Sequence, residues 1–572
     1  MIEEGKQLIT GFWKDKYPEG VPAEIDTGQY RSILDVLNYS AEKYADQPVF
    51  SNLGKSISYA ELYELSGRFC SYLQNYTDLQ PGDRIVVMLP NLIQFPVAVF
   101  GALRAGLIVV NTNPLYTARE MEHQFNDSGA KALVVLANMA HMAEKVLPKT
   151  GINHVVVTEV GDMLPPIKRY LVNGVVRYIK KMVPDWRIPG AVTFNRVLRL
   201  GGHWGTREVR RENDDVAILQ YTGGTTGVAK GAMLTHRNII SNMFQTKAMV
   251  ARNLEEGKEL MVAPLPLYHI FAFTVHCMVG MLLGAHNLLI TNPRDLNGFV
   301  KELKGKPFSM FVGLNTLFVG LMNNPSFRQL NFTHLKNTVS GGMALQLDTA
   351  KRWEDLTGCR ICEGYGMTET SPIVTINPLD KIKLGTIGIP VPSCELKVID
   401  DQGNDLKQGE VGELCVYGPQ VMKGYWENAQ ATAETIDAGG WLKTGDIAQI
   451  DEEGYVTIVD RKKDMICVSG FNVYPNELED VLALHPDVLQ SAAIGVPSDK
   501  TGEAIKVFVV ASDPGLSRED VIQHCRKHLT GYKVPRLVEF RKELPTTNVG
   551  KILRRALRDE ALAGMNTHKA IE

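Results

Sequence analysis

Tyr221-Thr-Gly-Gly-Thr-Thr-Gly-Val-Ala-Lys-Gly231 lies between two short apolar runs, residues 216–219 and 232–235, and so reads as a glycine-rich loop joining two strands. Gly223, Gly224 and Gly227 let backbone N–H groups close on an anion. Thr222, Thr225 and Thr226 add hydroxyl donors, and Lys230 adds a mobile positive charge. That donor set suits a polyphosphate. The loop is not a Walker A loop, which needs Gly-Lys-Ser/Thr opening a helix, whereas Lys230 stands between Ala229 and Gly231.

Around this cradle lies a chain of 572 residues, too long for one core. An apolar fraction of 44%, a charged fraction of 22% and a formal net charge of −3 are those of an ordinary globular enzyme. Without an excess of Lys and Arg, nucleic acid is not an expected partner. Eight scattered cysteines include a single C-x-x-C, Cys359 and Cys362, with no second pair to complete a zinc site; reduced, mostly buried thiols are expected. The N-terminus lacks the basic start and apolar core of a signal peptide, so the expected location is the cytoplasm. Residues 270–290 carry no Asp, Glu, Lys or Arg and approach the length of a membrane span. The Gly284-Ala-His-Asn cluster breaks the run, and a buried helix, turn and strand is the better reading.

Between residues 28 and 150, helical and strand-like segments alternate. Ser58 is placed to cap a helix, residues 84–89 and 107–111 read as strands, residues 94–105 as a helix, and Thr117-Ala-Arg-Glu120 as a capping box. Such alternation implies parallel sheets covered by helices. Residues 167–183 differ: on a helix, Ile167, Leu171, Val175, Ile179 and Met182 share one side, while Arg169, Arg177, Lys180 and Lys181 gather mainly on the other. Two partners suit this pattern, an anionic membrane surface or the protein's own core.

Downstream, Pro264-Leu-Pro-Leu-Tyr-His269 opens an almost wholly apolar region. Ser340-Gly-Gly-Met-Ala344 and Glu363-Gly-Tyr-Gly-Met-Thr-Glu369 follow, then Trp441-Leu-Lys-Thr-Gly-Asp446, Asp460-Arg-Lys-Lys-Asp464 and Pro545-Thr-Thr-Asn-Val-Gly-Lys551. Tyr365 offers an aromatic face to a base, Gly366 allows close approach, Glu369 supplies a hard oxygen for Mg²⁺, and Asp446 accepts two hydroxyl hydrogen bonds. Residues 466–572 read as a small α+β unit.

These motifs together resemble the adenylate-forming superfamily, and within it the bacterial long-chain-fatty-acid–CoA ligase family, over nearly the whole chain. The resemblance implies an α/β fold with a large N-terminal adenylate-forming domain of strand–helix sheets, residues 1–460, and a small mobile α+β C-terminal domain, residues 461–572, hinged near Lys463. It implies ATP, CoA and a fatty acid as substrates and Mg²⁺ as cofactor, held at Thr225 and Glu369. The nucleotide would contact Thr222 to Gly227, Lys230, Gly341, Gly342, Tyr365, Gly366, Thr368, Asp446, Arg461 and Lys551. Lys551 matches the catalytic lysine, alongside Glu369, His269 and Lys230; His269 matches the gate of the carboxylate pocket, and Ser469 and Gly470 border the CoA channel.

Some alternatives stay open. No acidic residue occurs between Met261 and Asn292 to bind an amino group, which disfavours an amino acid as substrate. Only 21 residues follow Lys551, too few for a carrier domain, so free CoA is the expected acceptor. A medium-chain or aryl-CoA ligase shares every motif. A catalytically silent scaffold on this fold is opposed by the intact Lys230, Glu369, Asp446, Arg461 and Lys551. Peripheral contact with the inner face of the cytoplasmic membrane through 167–183, and a homodimer, are both compatible with the sequence.

Overall fold

The structure is a computed structural model and describes residues 12–222, 229–469, 471–498, 500–546 and 552–569. Buried β-rich runs are set between amphipathic helices, and the described residues form four sheets. In the seven-stranded sheet the order is Val192–Thr193, His154–Thr158, Ala132–Leu136, Arg84–Met88, Ile108–Asn111, Val216–Tyr221, Gly231–Thr235. All neighbours run parallel except the last pair, the two strands that flank the glycine-rich loop. Alternation along Arg84–Met88 divides its side chains between two cores: Ile85 and Val87 face one, Val86 and Met88 the other.

A nine-stranded sheet carries the central parallel strands His286–Leu289, Leu260–Ala263, Met310–Gly313, Asn337–Ser340 and Ile361–Gly366. Antiparallel edges close it on both sides. Four antiparallel strands follow, Glu395–Ile399, Val411–Tyr417, Leu442–Ile450 and Val456–Arg461. The last sheet lies wholly beyond residue 465, and its two cores contain no residue earlier than Ile466. A separate core is the physical criterion for a separate folding unit.

Local signals place the helices. Ser58, Thr117, Thr235 and Ser517 cap Tyr59–Tyr76, Ala118–Asp127, His236–Val250 and Arg518–His528, each with a reciprocal bond from the third residue. Such caps are worth about 1 kcal/mol apiece. The charge-free run 270–290 is a buried helical stretch, Ile270–Ala272, Phe273–Val279 and Gly280–Leu282, then a turn at Gly284 and the strand His286–Leu289. Among the described residues no helix is long and apolar enough to cross a membrane. The cysteines are free thiols, all buried except Cys467.

The segment 167–183 departs from a continuous helix. Pro166–Gly174 is α-helical, Val175–Ile179 widens into a π turn, and Lys181 takes a positive φ of 52° that ends the helix. Val176 and Val183 pack into a core, but most of the segment's large apolar side chains do not. Ile167, Tyr170, Leu171, Tyr178 and Ile179 are each more than 60% exposed. Arg177 is not part of a free basic face, because its guanidinium bonds Glu159 at 2.5 Å.

Candidate active site

The phosphate-loop hairpin is closed at its stem. Tyr221 pairs with Gly231, and the Thr222 N–H donates to the Lys230 carbonyl at 3.0 Å. Gly223, Gly224, Thr225, Thr226 and Gly227 lie outside the described residues. Two side chains of the helix Ala118–Asp127 hold the stem from the other side: His123 Nε2 donates to the Ala229 carbonyl at 2.9 Å, and Asp127 accepts from the Tyr221 hydroxyl at 2.6 Å. Neither was apparent from the sequence, since the contacts span about a hundred residues.

Lys423 to Trp426 runs against the outer strand of this hairpin. The Met233 N–H donates to the Gly424 carbonyl, the Trp426 N–H to that of Gly231, and Ala232 bridges Tyr425. That pairing delivers Tyr425 between two predicted site residues. Its hydroxyl donates to Glu369 Oε1 at 2.8 Å, and Lys230 Nζ stands 5.0 Å from its ring centroid. Glu369 is buried, and desolvation raises its pKa against the opposing effects of the Tyr425 hydrogen bond and the Lys230 charge. The aromatic pair Tyr425-Trp426 after Gly424 is the sequence signal that could have drawn attention to this residue.

Tyr365, Asp446 and Arg461 also come together. Strands Leu442–Ile450 and Val456–Arg461 pair Asp446 with Arg461, whose Nε is 3.5 Å from Asp446 Oδ1; the Tyr365 hydroxyl donates to Oδ2 at 2.5 Å. Burial and the Asp446 charge push the Tyr365 phenol well up, so it stays a donor. A carboxylate has about four acceptor positions, so Asp446 retains capacity for diol hydroxyls. Gly366 has a different local reason from the one expected: a Cβ there would lie 2.1 Å from the Pro372 carbonyl oxygen, so glycine is required by the protein's own backbone. Thr368 and Glu369 lie in a single 3₁₀ turn, Thr368–Thr370.

The apolar side of the site is built from the helical run after His269. His269 Nδ1 accepts from the Phe271 N–H at 3.4 Å, capping the run, and leaves His269 partly exposed. The Phe271 ring lies against Gly341, where a Cβ would be 3.1 Å from it; Gly342 takes a φ of 87°. Beneath this turn Glu363 accepts the Leu345 N–H at 3.0 Å, and burial pushes its carboxyl up to about 8.

Ser469, with a φ of 52°, is exposed beside the strand Ile466–Val468, and its N–H donates to the Thr501 carbonyl at 2.8 Å. Lys463 is exposed between the two sheets; its neighbour Lys462 pairs with Glu413 and Asp401, both at 3.1 Å. Gly470 and Lys551 lie outside the described residues.

The family description "AMP-binding enzyme" matches residues 37–426, and "AMP-binding enzyme C-terminal domain" matches residues 477–551. A protein of Escherichia coli O157:H7 named long-chain-fatty-acid–CoA ligase is 55% identical over 96% of this chain and 98% of its own. A Haemophilus influenzae protein of the same name is 52% identical over 97% and 99%. A solved anthranilate CoA ligase in complex with anthranoyl-AMP superposes with a TM-score of 0.83 at 23% identity, over 95% of this chain and 100% of that one.

Proposed function

Because the chain belongs to the AMP-binding enzyme family, we infer that it is an ATP-dependent long-chain fatty acid–CoA ligase, releasing AMP and pyrophosphate and serving fatty-acid degradation. The observation that carries this reading is near full-length identity above 50% to relatives of that name. The convergence of Lys230, Glu369, Tyr365, Asp446 and Arg461 supports it.

A carboxylate repels nucleophiles and has no good leaving group. The reading resolves this in two steps. A carboxylate oxygen of the fatty acid attacks the α-phosphorus of ATP, and the bond to the bridging oxygen breaks, expelling pyrophosphate. The CoA thiol, having lost its proton, then attacks the acyl carbonyl, and AMP leaves with the original carboxylate oxygen. In the first step Lys230 and the glycine-rich loop hold the phosphates, Asp446 and Arg461 orient the ribose, and Lys551 offsets charge on the reacting oxygens. The second step uses the Ser469-Gly470 segment to border the thiol channel after the domain beginning at 461 rotates about Lys463. His269 and Phe271 gate the apolar side.

Among the described residues no cluster of three or more His, Cys, Asp or Glu could hold a metal. A single buried carboxylate fits Mg²⁺ nevertheless, because that ion is commonly held by one or two carboxylates with water and substrate phosphates. Glu369 would hold it, with Thr225. When bound, it supplies charge neutralisation at the phosphates.

The test is AMP release from the purified chain with ATP, Mg²⁺ and CoA, offering oleate, octanoate, a cinnamate and phenylalanine in parallel. Oleate is expected to be used best; preference for another acid would move the substrate class, and no AMP with any acid would sink the reading.

We also propose that the protein, cytoplasmic as its eight free thiols suit, touches an anionic membrane surface through residues 167–183. Five large side chains there are open to solvent beside exposed Lys180 and Lys181, a pattern for a lipid interface. Changing Lys180 and Lys181 to Glu, together with Ile179→Ser, should abolish co-sedimentation with anionic vesicles. Arg177 is left alone because it holds Glu159. Co-sedimentation equal to that of the unchanged chain would refute the contact.

A further inference from the structure

The C-terminal helix Arg554–Lys569 begins with a side chain that neither the sequence motifs nor the nucleotide site accounts for. Arg554 is mostly buried and makes contacts on four residues. Its Nε and Nη2 take the Glu479 carboxylate at 3.0 and 2.7 Å, Nη2 also donates to Asn476 Oδ1 at 2.5 Å, and Nη1 lies 3.6 Å from Asp464 and 3.8 Å from Asp460. These partners belong to different parts of the chain. Asn476 and Glu479 are on the helix Pro475–Ala483, Asp464 follows Lys463, and Asp460 precedes it on the strand Val456–Arg461.

Asp460 is fully buried and has a second bond across the same junction: its Oδ2 accepts the N–H of Asn476, in the first turn of the helix, at 2.8 Å. The side-chain amide of Asn476 also donates to the Val459 carbonyl at 3.3 Å. Burial pushes the Asp460 carboxyl up to about 6 even with Arg554 opposite. A buried acid is costly unless partnered, and the Asn476 N–H and the Arg554 guanidinium are partners supplied from beyond Lys463.

On its other side, Arg554 adjoins a closed base. Thr546 bridges Ile552, and the Leu553 N–H donates to the Pro545 carbonyl at 2.8 Å. In sequence, Lys551 is three residues away.

We propose that Arg554 and Asp460 form a clasp across the hinge, and that Arg554 is the positioning residue registering the base of the Lys551 segment against the nucleotide domain. If the C-terminal unit turns about Lys463, Asp464, Asn476, Glu479 and Arg554 travel together while Asp460 stays with its strand. The contacts to Asp460 are then the ones that must change. The clasp therefore biases the two half-reactions unequally. This inference rests on the reading of Lys551 as the lysine of acyl-adenylate formation.

The experiment compares Arg554→Gln, Asp460→Asn and the double variant in two assays, oleate-dependent ATP–pyrophosphate exchange and conversion of supplied oleoyl-adenylate to thioester with CoA. Arg554→Gln should slow exchange on the order of 10²-fold, the cost of an ångström-scale misplacement of a catalytic group, while thioester formation falls by less than about tenfold. Asp460→Asn keeps an acceptor for the Asn476 N–H but loses the charge facing Arg554, and should shift the ratio of the two rates in the same direction by a smaller factor. The double variant should be no worse in exchange than Arg554→Gln alone, because both act on one contact. A merely structural role would lower both rates by the same factor, and that result overturns the proposal. Should Arg554→Gln fail to fold, Asp460→Asn decides: an unchanged ratio of rates overturns it. Lys551→Ala, run alongside, reports separately on the underlying reading, because retained exchange there would indict the Lys551 assignment and leave the Arg554 ratio to be judged by itself.

Discussion

Lys551→Ala is expected to slow acyl-adenylate formation by about 10²- to 10³-fold, the range for removing one preorganised group from developing charge. The variant should still convert supplied acyl-adenylate to thioester at a rate near that of the unchanged chain. As the carboxylate oxygen approaches the α-phosphorus, negative charge grows on the bridging oxygen and redistributes from the carboxylate. A lysine ammonium matched to that charge stabilises the transition state more than the ground state, so the loss appears in kcat. When the thiol attacks the acyl carbon, charge develops on the acyl oxygen and on the departing AMP, but the proposed rotation about Lys463 has by then carried Lys551 away, which is why the second step should survive. ATP–pyrophosphate exchange with oleate measures the first step, and CoA consumption with oleoyl-adenylate the second. Equal loss of both would refute the assignment.

Glu369→Gln should lower exchange on the order of 10²-fold with little loss of folded stability. The amide keeps an oxygen to accept the Tyr425 hydroxyl bond seen at 2.8 Å, and so removes charge with minimal change of shape. Without Mg²⁺ bound, burial raises the Glu369 pKa, which fixes the sign of its effect on stability. A carboxyl whose folded pKa lies above its unfolded one binds its proton more tightly in the fold. Stability is thus lost as pH rises from the unfolded value through the raised one, and the penalty persists above it. Glu369→Gln should therefore unfold at an equal or higher temperature near neutral pH. A variant with full exchange activity would remove Glu369 from the mechanism.

The parts of this molecule that were legible in the sequence are those set by neighbours along the chain. The hairpin around the glycine-rich loop follows from two apolar runs flanking a turn-forming stretch, and the helix starts at Ser58 and Thr117 follow from capping patterns four residues long. The buried run 270–290 was separable from a membrane span by the glycine at 284, whose φ of 66° makes the turn. Contacts that depend on chain sections far apart were not legible. Tyr425 reaches Glu369 across 56 positions, His123 reaches Ala229 across 106, and Arg554 reaches Glu479 across 75. No local period encodes such partners. Residues 167–183 show the reverse error: charge and periodicity described a face correctly but could not foresee that Arg177 is tied to Glu159 or that the helix ends before Lys181. Gly366 illustrates a third kind, where the residue is right and the cause is not, since its neighbour is the Pro372 carbonyl.

The most direct measurement follows one oxygen atom. Oleate labelled with oxygen-18 in both carboxylate positions is turned over with unlabelled ATP, Mg²⁺ and CoA, and the products are weighed by mass spectrometry. If the carboxylate attacks the α-phosphorus and the thiol then displaces AMP at the acyl carbon, each AMP carries one labelled oxygen, the thioester keeps the other, and pyrophosphate carries none. Label in pyrophosphate or inorganic phosphate with unlabelled AMP would mean that the acid was activated at another phosphorus, and the acyl-adenylate account would be wrong.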